Sequence, residues 1–299
     1  MRLQPVIVPY RYDERDEGLG RGPGALLQAG LVDRLLASGH AVAAPVESSL
    51  GDDERVLGPV AVNIGKLGAK TATLVADARR SGAAALVLAG DDTAAIGAVA
   101  GLQQAAGAGA AIGVVWLDAH GDFNTPETTY SGILAGMPVA ILAGLAGPLW
   151  RGAAHLDAPI PTDRILIAGA RDLDEKEANL IRSTDVRLLT TDDIRAGDGM
   201  AKAVRRLAAT CQLIYLHIDL DVLDPSLVPS ASTPSAGGLS VAEAAQAMSA
   251  VLGTGIVAAA GIAGLNPGAG ARGERSTKSA LELIEKALAS WNQTPGAPG

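Results

Sequence analysis

Three side chains that could hold a metal stand within five residues of one another: Asp118, His120 and Asp122, directly after the apolar run Ile112–Leu117. In an extended chain residues i, i+2 and i+4 share one face, so a strand ending in this pattern aims two carboxylates and an imidazole at one point. About a hundred residues later the theme returns as His217, Asp219 and Asp221, again at the end of an apolar run. An apolar strand does not normally finish in two carboxylates, because burying unpaired charge is costly. Two such ends point to a site for two cations. Oxygen-rich ligation with an imidazole suits Mn²⁺, with Fe²⁺ and Zn²⁺ as competitors. Two metals sharing carboxylates lower the pKa of a water between them and supply hydroxide at neutral pH. His217 shares a strand face with Asp219 and Asp221, and could be a substitute ligand or, the blander reading, a packed histidine behind them.

Such residues need a scaffold whose strands end together. Apolar runs at 6–8, 42–46, 85–89, 112–117, 164–168, 186–189, 213–218 and 256–260 alternate with helix-like stretches. The helices are expected at 25–36 (opened by Pro23), from the Gly90-Asp91-Asp92-Thr93 turn to about 104, and over 63–81, 175–182, 202–209, 241–252 and 276–290. Residues 10–22 read as a polar loop. This alternation predicts an α/β fold, a mainly parallel sheet between two helical layers, with the site beyond the strands' carboxyl ends. No linker divides the chain, so one domain is expected over 1–291, with a frayed tail at 292–299 that holds two prolines and two glycines.

Composition narrows the function. The chain has 299 residues, 48% of them hydrophobic, and a net charge of −8; its mean hydropathy is +0.25. No basic patch is offered to nucleic acid or an anionic membrane. The single Cys211 allows no internal disulfide and fits a reducing compartment. Neither a signal-peptide core nor an apolar run long enough to span a bilayer occurs, so a cytoplasmic protein is expected. Gly18-Leu19-Gly20-Arg21-Gly22 lacks the strand that a dinucleotide fingerprint requires, and no Walker loop is present.

The stretches Asp118-Ala119-His120-Gly121-Asp122-Phe123-Asn124-Thr125-Pro126, Ser131 to Pro138, and His217-Ile218-Asp219-Leu220-Asp221-Val222-Leu223-Asp224-Pro225 resemble the signature segments of the arginase, or ureohydrolase, family. Other parts agree in order: the Gly22-Pro23 helix start, 89–97, 171–174, Thr233-Pro234 with Gly237-Gly238-Leu239, and Leu265-Asn266-Pro267. The resemblance covers nearly the whole chain. It implies a three-layer α/β/α fold, a binuclear manganese centre, hydrolysis of a guanidino or amidino C–N bond, and a trimer or hexamer. It further implies that Asp118 and Asp219 bridge two Mn²⁺ ions, that His120 and Asp221 complete the deeper ion's ligands, and that Asp122 binds the other ion and the hydroxide. Asn124, Ser131, Asp174 and Glu177 match positions that hold the carboxylate and amino group of an amino-acid substrate. Asp174 and Glu177 also read, more simply, as a capping pair at a helix start.

Several positions depart from the family pattern. A histidine ligand is replaced by Asp92, which can still ligate but adds negative charge. A histidine used to shuttle protons is Ala135, a polar contact is Ile133, and the glutamate that grips a guanidinium is Gly264. The missing carboxylate removes a charge-assisted contact. Two readings follow. The first is a hydrolase of an arginine-like amino acid, N-hydroxyarginine and formiminoglutamate included, with room at 133, 135 and 264 for a bulkier or less cationic group. The second is a non-catalytic relative that keeps its metal for structure or regulation.

Overall fold

A computed structural model describes residues 1–293 and 296. Its strands are β1 (Arg2–Val8), β2 (Tyr10–Arg11), β3 (Glu14–Arg15), β4 (Ala41–Val42), β5 (Val46–Glu47), β6 (Ala84–Ala89), β7 (Ile112–Leu117), β8 (Ile165–Ala168), β9 (Arg187–Leu189), β10 (Leu213–Asp219) and β11 (Val257–Ala263). Nine form one sheet in the order β4-β1-β6-β11-β10-β7-β8-β9, with β5 also on β1. All its pairings are parallel.

Strand alternation explains the layers. Leu86, Leu88, Val115, Leu117, Leu216 and Ile218 pack on one face, with helices Val241–Leu252 and Ala271–Leu288. Their neighbours Val87, Val114, Trp116 and Tyr215 point the other way, against helices Val60–Arg80 and Ala94–Ala106. Both faces are covered, which is why these strands read as unbroken apolar runs. The expected three-layer α/β/α architecture is what the chain forms.

The differences have local causes. The helix expected over 25–36 is two, Gly22–Gln28 and Leu31–Ala37, because Gly30 adopts φ +84 between them. The strand expected over 42–46 splits around Pro45, which has no N–H to give a ladder. The polar loop contains the hairpin β2-β3. Short helices at Pro138–Leu142, Pro148–Ala153 and Thr191–Arg195 were not foreseen. The expected frayed tail falls largely outside the described residues. Among the described residues no helix is long and apolar enough to cross a membrane.

Candidate metal centre and substrate cleft

Four neighbouring strands, β6, β11, β10 and β7, end at one edge of the sheet and deliver Asp92, Gly264, Asp219 and Asp118 there. Strand alternation does not bring the rest together, contrary to expectation. β7 stops at Leu117, and Asp118 Oδ1 accepts the backbone N–H of His120 at 2.7 Å, turning the chain. Asp122 then sits at φ +46, held by its carbonyl, which accepts the N–H of Val139 at 2.9 Å. On β10 the same device recurs: Asp219 Oδ1 accepts the Asp221 N–H at 2.7 Å and starts a 3-10 turn over Leu220–Val222. Carboxylates that cap their own turns, not the pleat, converge the ligands.

Two sets of candidate ligand atoms result, each with all members within 4.8 Å of one another: Asp118, His120 and Asp221, and Asp92, Asp118 and Asp122. Asp118 belongs to both. Asp219 belongs to neither set, but its carboxyl shares a hydrogen bond with Asp92. His120 Nδ1 lies 3.2 Å from both Asp118 Oδ1 and Asp221 Oδ2. Asp221 also accepts the Ala119 N–H at 3.2 Å and the Thr233 hydroxyl at 3.1 Å, and Trp116 Nε1 donates to Asp118 Oδ2 at 3.0 Å.

The electrostatics fit a cation site. Burial, then neighbouring carboxylates, pushes Asp92 and Asp122 well above the usual range, Asp219 up to about 7 and Asp221 up to about 6. Burial alone would lower His120, yet its hydrogen bonds to Asp118 and Asp221 push it up to about 12. Asp122 Oδ2 is buried with no hydrogen-bond partner. Five carboxylates facing one imidazolium are short of positive charge, and the orphaned oxygen faces that deficit. Hard divalent cations would satisfy both, displacing the proton from His120 as they bind.

Asp92, which stands where the family pattern has histidine, is backed by an imidazole. His217 Nε2 is 2.8 Å from Asp92 Oδ1, and its Nδ1 is 3.0 Å from the Tyr215 hydroxyl. The His217 ring stacks on Trp116 with centroids 3.7 Å apart. Burial lowers His217 to about 3 and raises Tyr215, so both are neutral. One arrangement satisfies every atom: the tyrosine O–H donates to Nδ1, and Nε2–H donates to the Asp92 carboxylate. Gly261 on β11 is required here, because a Cβ would strike the Tyr215 oxygen. His217 is thus the packed histidine behind the cluster, and its link to Asp92 orients that carboxylate.

A cleft of about 560 Å³ opens over this centre. Asp92, Asp118, His120, Asp122 and Asp219 line its floor, and Asn124, Ser131, Asp174 and Glu177 line its wall, whereas Asp221 lies behind His120. Asn124 Nδ2 donates to Asp174 Oδ2 at 3.2 Å, and Ser131 is exposed at the mouth. Glu177 is buried; it accepts the Phe123 N–H at 2.8 Å and the Asp174 N–H at 3.3 Å, so the helix-capping role is realised. Burial pushes its carboxyl up to about 7 against those two hydrogen bonds. The room expected at Gly264 is absent: at φ +86, a Cβ there would strike the Asp219 carboxylate. At Ala135 the backbone hydrogen-bonds the Tyr12 phenol, and both residues line the cleft together with Arg11, Ile133 and Thr233. Sequence reading missed Tyr12, Arg11, Tyr215 and Trp116. The i, i+2 spacing of Tyr215 and His217 was a usable signal for one of them; for Tyr12 only its place after a strand was.

Comparison with known proteins agrees with this geometry. Residues 6–290 match the model of the arginase family. The chain is 32% identical over 296 residues to the arginase of Bacillus subtilis (strain 168), covering 96% of this chain and 97% of that one. It is 32% identical to arginase-1 of Oryctolagus cuniculus, across 96% of this chain and 91% of the relative. The crystal structure of the Bacillus cereus arginase superposes with a TM-score of 0.85 at 28% identity, covering 98% and 99% of the two chains.

Proposed function

The chain belongs to the arginase family, and from that premise we propose that it hydrolyses a C–N bond of a guanidino or amidino amino acid: arginine, N-hydroxyarginine or formiminoglutamate. The observation that carries this reading is one carboxylate, Asp118, shared by two candidate ligand sets on the floor of an amino-acid-sized cleft. Two Mn²⁺ ions would be held by Asp92, Asp118, His120, Asp122, Asp219 and Asp221. When bound, such ions act as Lewis acids and make water nucleophilic at neutral pH.

The chain's own residues do the rest. Asp118 and Asp122 hold the attacking water's side of the cleft negative, and the buried Asp122 Oδ2 is free to accept its proton. Asp174 offers a half-exposed carboxylate to a substrate ammonium, and Asn124 and Ser131 offer polar groups to a substrate carboxylate. This pairing favours an amino acid over a decarboxylated amine. Without a carboxylate at Gly264, the reacting group is held less by charge than a plain guanidinium would be.

The test is product release by the Mn²⁺-loaded protein over arginine, N-hydroxyarginine, agmatine, guanidino acids and formiminoglutamate. Turnover of at least one amino-acid substrate, with agmatine a poorer one, is expected. No turnover of any at full metal occupancy would favour the non-catalytic reading.

A further inference from the structure

Breaking a C–N bond leaves a basic nitrogen that must gain a proton as it departs, and that proton needs a positioned donor. Among the described residues lining the cleft, most carboxylates lie on the metal-facing floor or at the helix cap; Asp91 is held by the Tyr12 and Thr93 N–H groups, Asp172 accepts the Ser235 hydroxyl, and His120, the one imidazole, is held by Asp118 and Asp221. Ser131, Ser232 and Thr233 are aliphatic hydroxyls and poor acids. Tyr12 is the remaining O–H acid that lies outside both the metal-facing floor and the helix cap.

Its placement is firmly built. Tyr12 and Asp13 form the two-residue turn of the β2-β3 hairpin, and each is anchored separately. The Tyr12 N–H donates to the buried Asp91 carboxylate at 2.7 Å, and Asp91 is held in turn by the Thr93 N–H at 3.0 Å. Asp13 accepts from Asn63 Nδ2 at 2.8 Å and from Arg55 at 3.1 Å. At the hairpin's root, the Tyr10 hydroxyl accepts the Leu50 N–H at 3.1 Å. Tyr12 itself adopts φ +57, a region that a bulky residue enters only when its surroundings compel it. The phenol oxygen accepts a hydrogen bond from the Ala135 backbone, so its own O–H remains free to donate into the cleft.

We propose that the Tyr12 hydroxyl donates the proton to the leaving nitrogen. Water adds across the scissile bond: its oxygen bonds to carbon, and the C–N electron pair goes to nitrogen, which takes the phenol proton. The proton that the water gives up restores the phenol, so no other reactant is consumed. Burial and the nearby Asp91 charge raise the phenol's pKa, which keeps it protonated through the neutral range.

This inference rests on the hydrolase reading above, and the test separates the two. Wild type and Tyr12→Phe, both Mn²⁺-loaded and matched in metal content and melting temperature, are assayed on two substrates. One is the alkylamine-releasing substrate that wild type turns over best. The other is its oxyguanidino or oxyamidino analogue, whose leaving nitrogen carries an oxygen and needs little proton help. The variant should lose ~10²–10⁴-fold in kcat on the first and under ~10-fold on the second, with KM changed by less than about threefold. Equal losses on both substrates, or an unchanged kcat on the first, would overturn the assignment of Tyr12 while leaving the hydrolase reading intact. A wild type inactive on the whole panel would overturn both.

Discussion

Replacing Glu177 by Gln should remove a loss of stability that the metal-free wild type suffers as the pH rises from 4.5 to 8. Burial raises this carboxyl from 4.5 to about 7 in the fold. The fold therefore holds a proton more tightly than the unfolded chain does. That proton's contribution is complete below pH 4.5 and is lost as the pH climbs through about 7. At ~1.4 kcal/mol for each pH unit between the two values, the wild type loses about 3 kcal/mol over this window. The amide of the Glu177→Gln variant cannot titrate; it keeps one acceptor oxygen and gives up the other N–H contact at every pH, so the pH-dependent part of the loss is removed. Asp92, Asp219 and Asp221 titrate in both proteins and cancel, so the difference reports Glu177 together with its coupling to Asp122, whose carboxyl the Glu177 charge also raises. Urea denaturation of the two chelated proteins at pH 4.5 and pH 8 measures it directly. Their stability difference should grow by ~2–3 kcal/mol, equivalent to roughly 5 °C or more in Tm. If Glu177→Gln carries a constant difference across that range, Glu177 ionises as an ordinary surface acid and the reasoning from burial fails. The Mn²⁺-loaded variant should also show a raised KM, since the negative charge at the substrate's amino end is reduced.

Asp92→Ala should retain fewer than two Mn²⁺ per chain after gel filtration, by elemental analysis; two per chain would show that Asp92 is not a ligand. His217→Phe keeps the stack on Trp116 but removes the bond to Asp92. It should weaken Mn²⁺ binding ~10–100-fold by calorimetry, whereas wild-type affinity would reduce His217 to packing. Gly264→Ala forces a Cβ into the Asp219 carboxylate at φ +86. A destabilisation of ~1–3 kcal/mol and a lowered metal content are expected, and wild-type values for both would show that the site yields easily.

The fold was legible because its signals are local and repeated. Apolar runs of strand length alternating with helix-period stretches leave few arrangements, and a parallel sheet places its site at the strand ends. Misses came where one residue overrode a pattern: Gly30 broke a helix, and Pro45 split a strand. The candidate ligands were named from residue type, but the reason that they come together was not legible. Asp118 and Asp219 cap their own turns, and that depends on backbone N–H groups that no side-chain pattern records.

By itself, the order of residues determined the architecture, the acid-rich strand ends and the class of chemistry they allow, because those depend on composition and spacing along the chain. Only the tertiary structure decided what the departures from the family pattern mean. Asp92 is paired with His217, 125 positions away in the chain, through strands β6 and β10, which are separated by β11. Ala135 meets the Tyr12 phenol through its backbone, from a hairpin that begins after the first strand, while Gly264 opens no space because Asp219 already lies against it. Each of these depends on distance between remote segments, and that distance is set by how the sheet orders its strands.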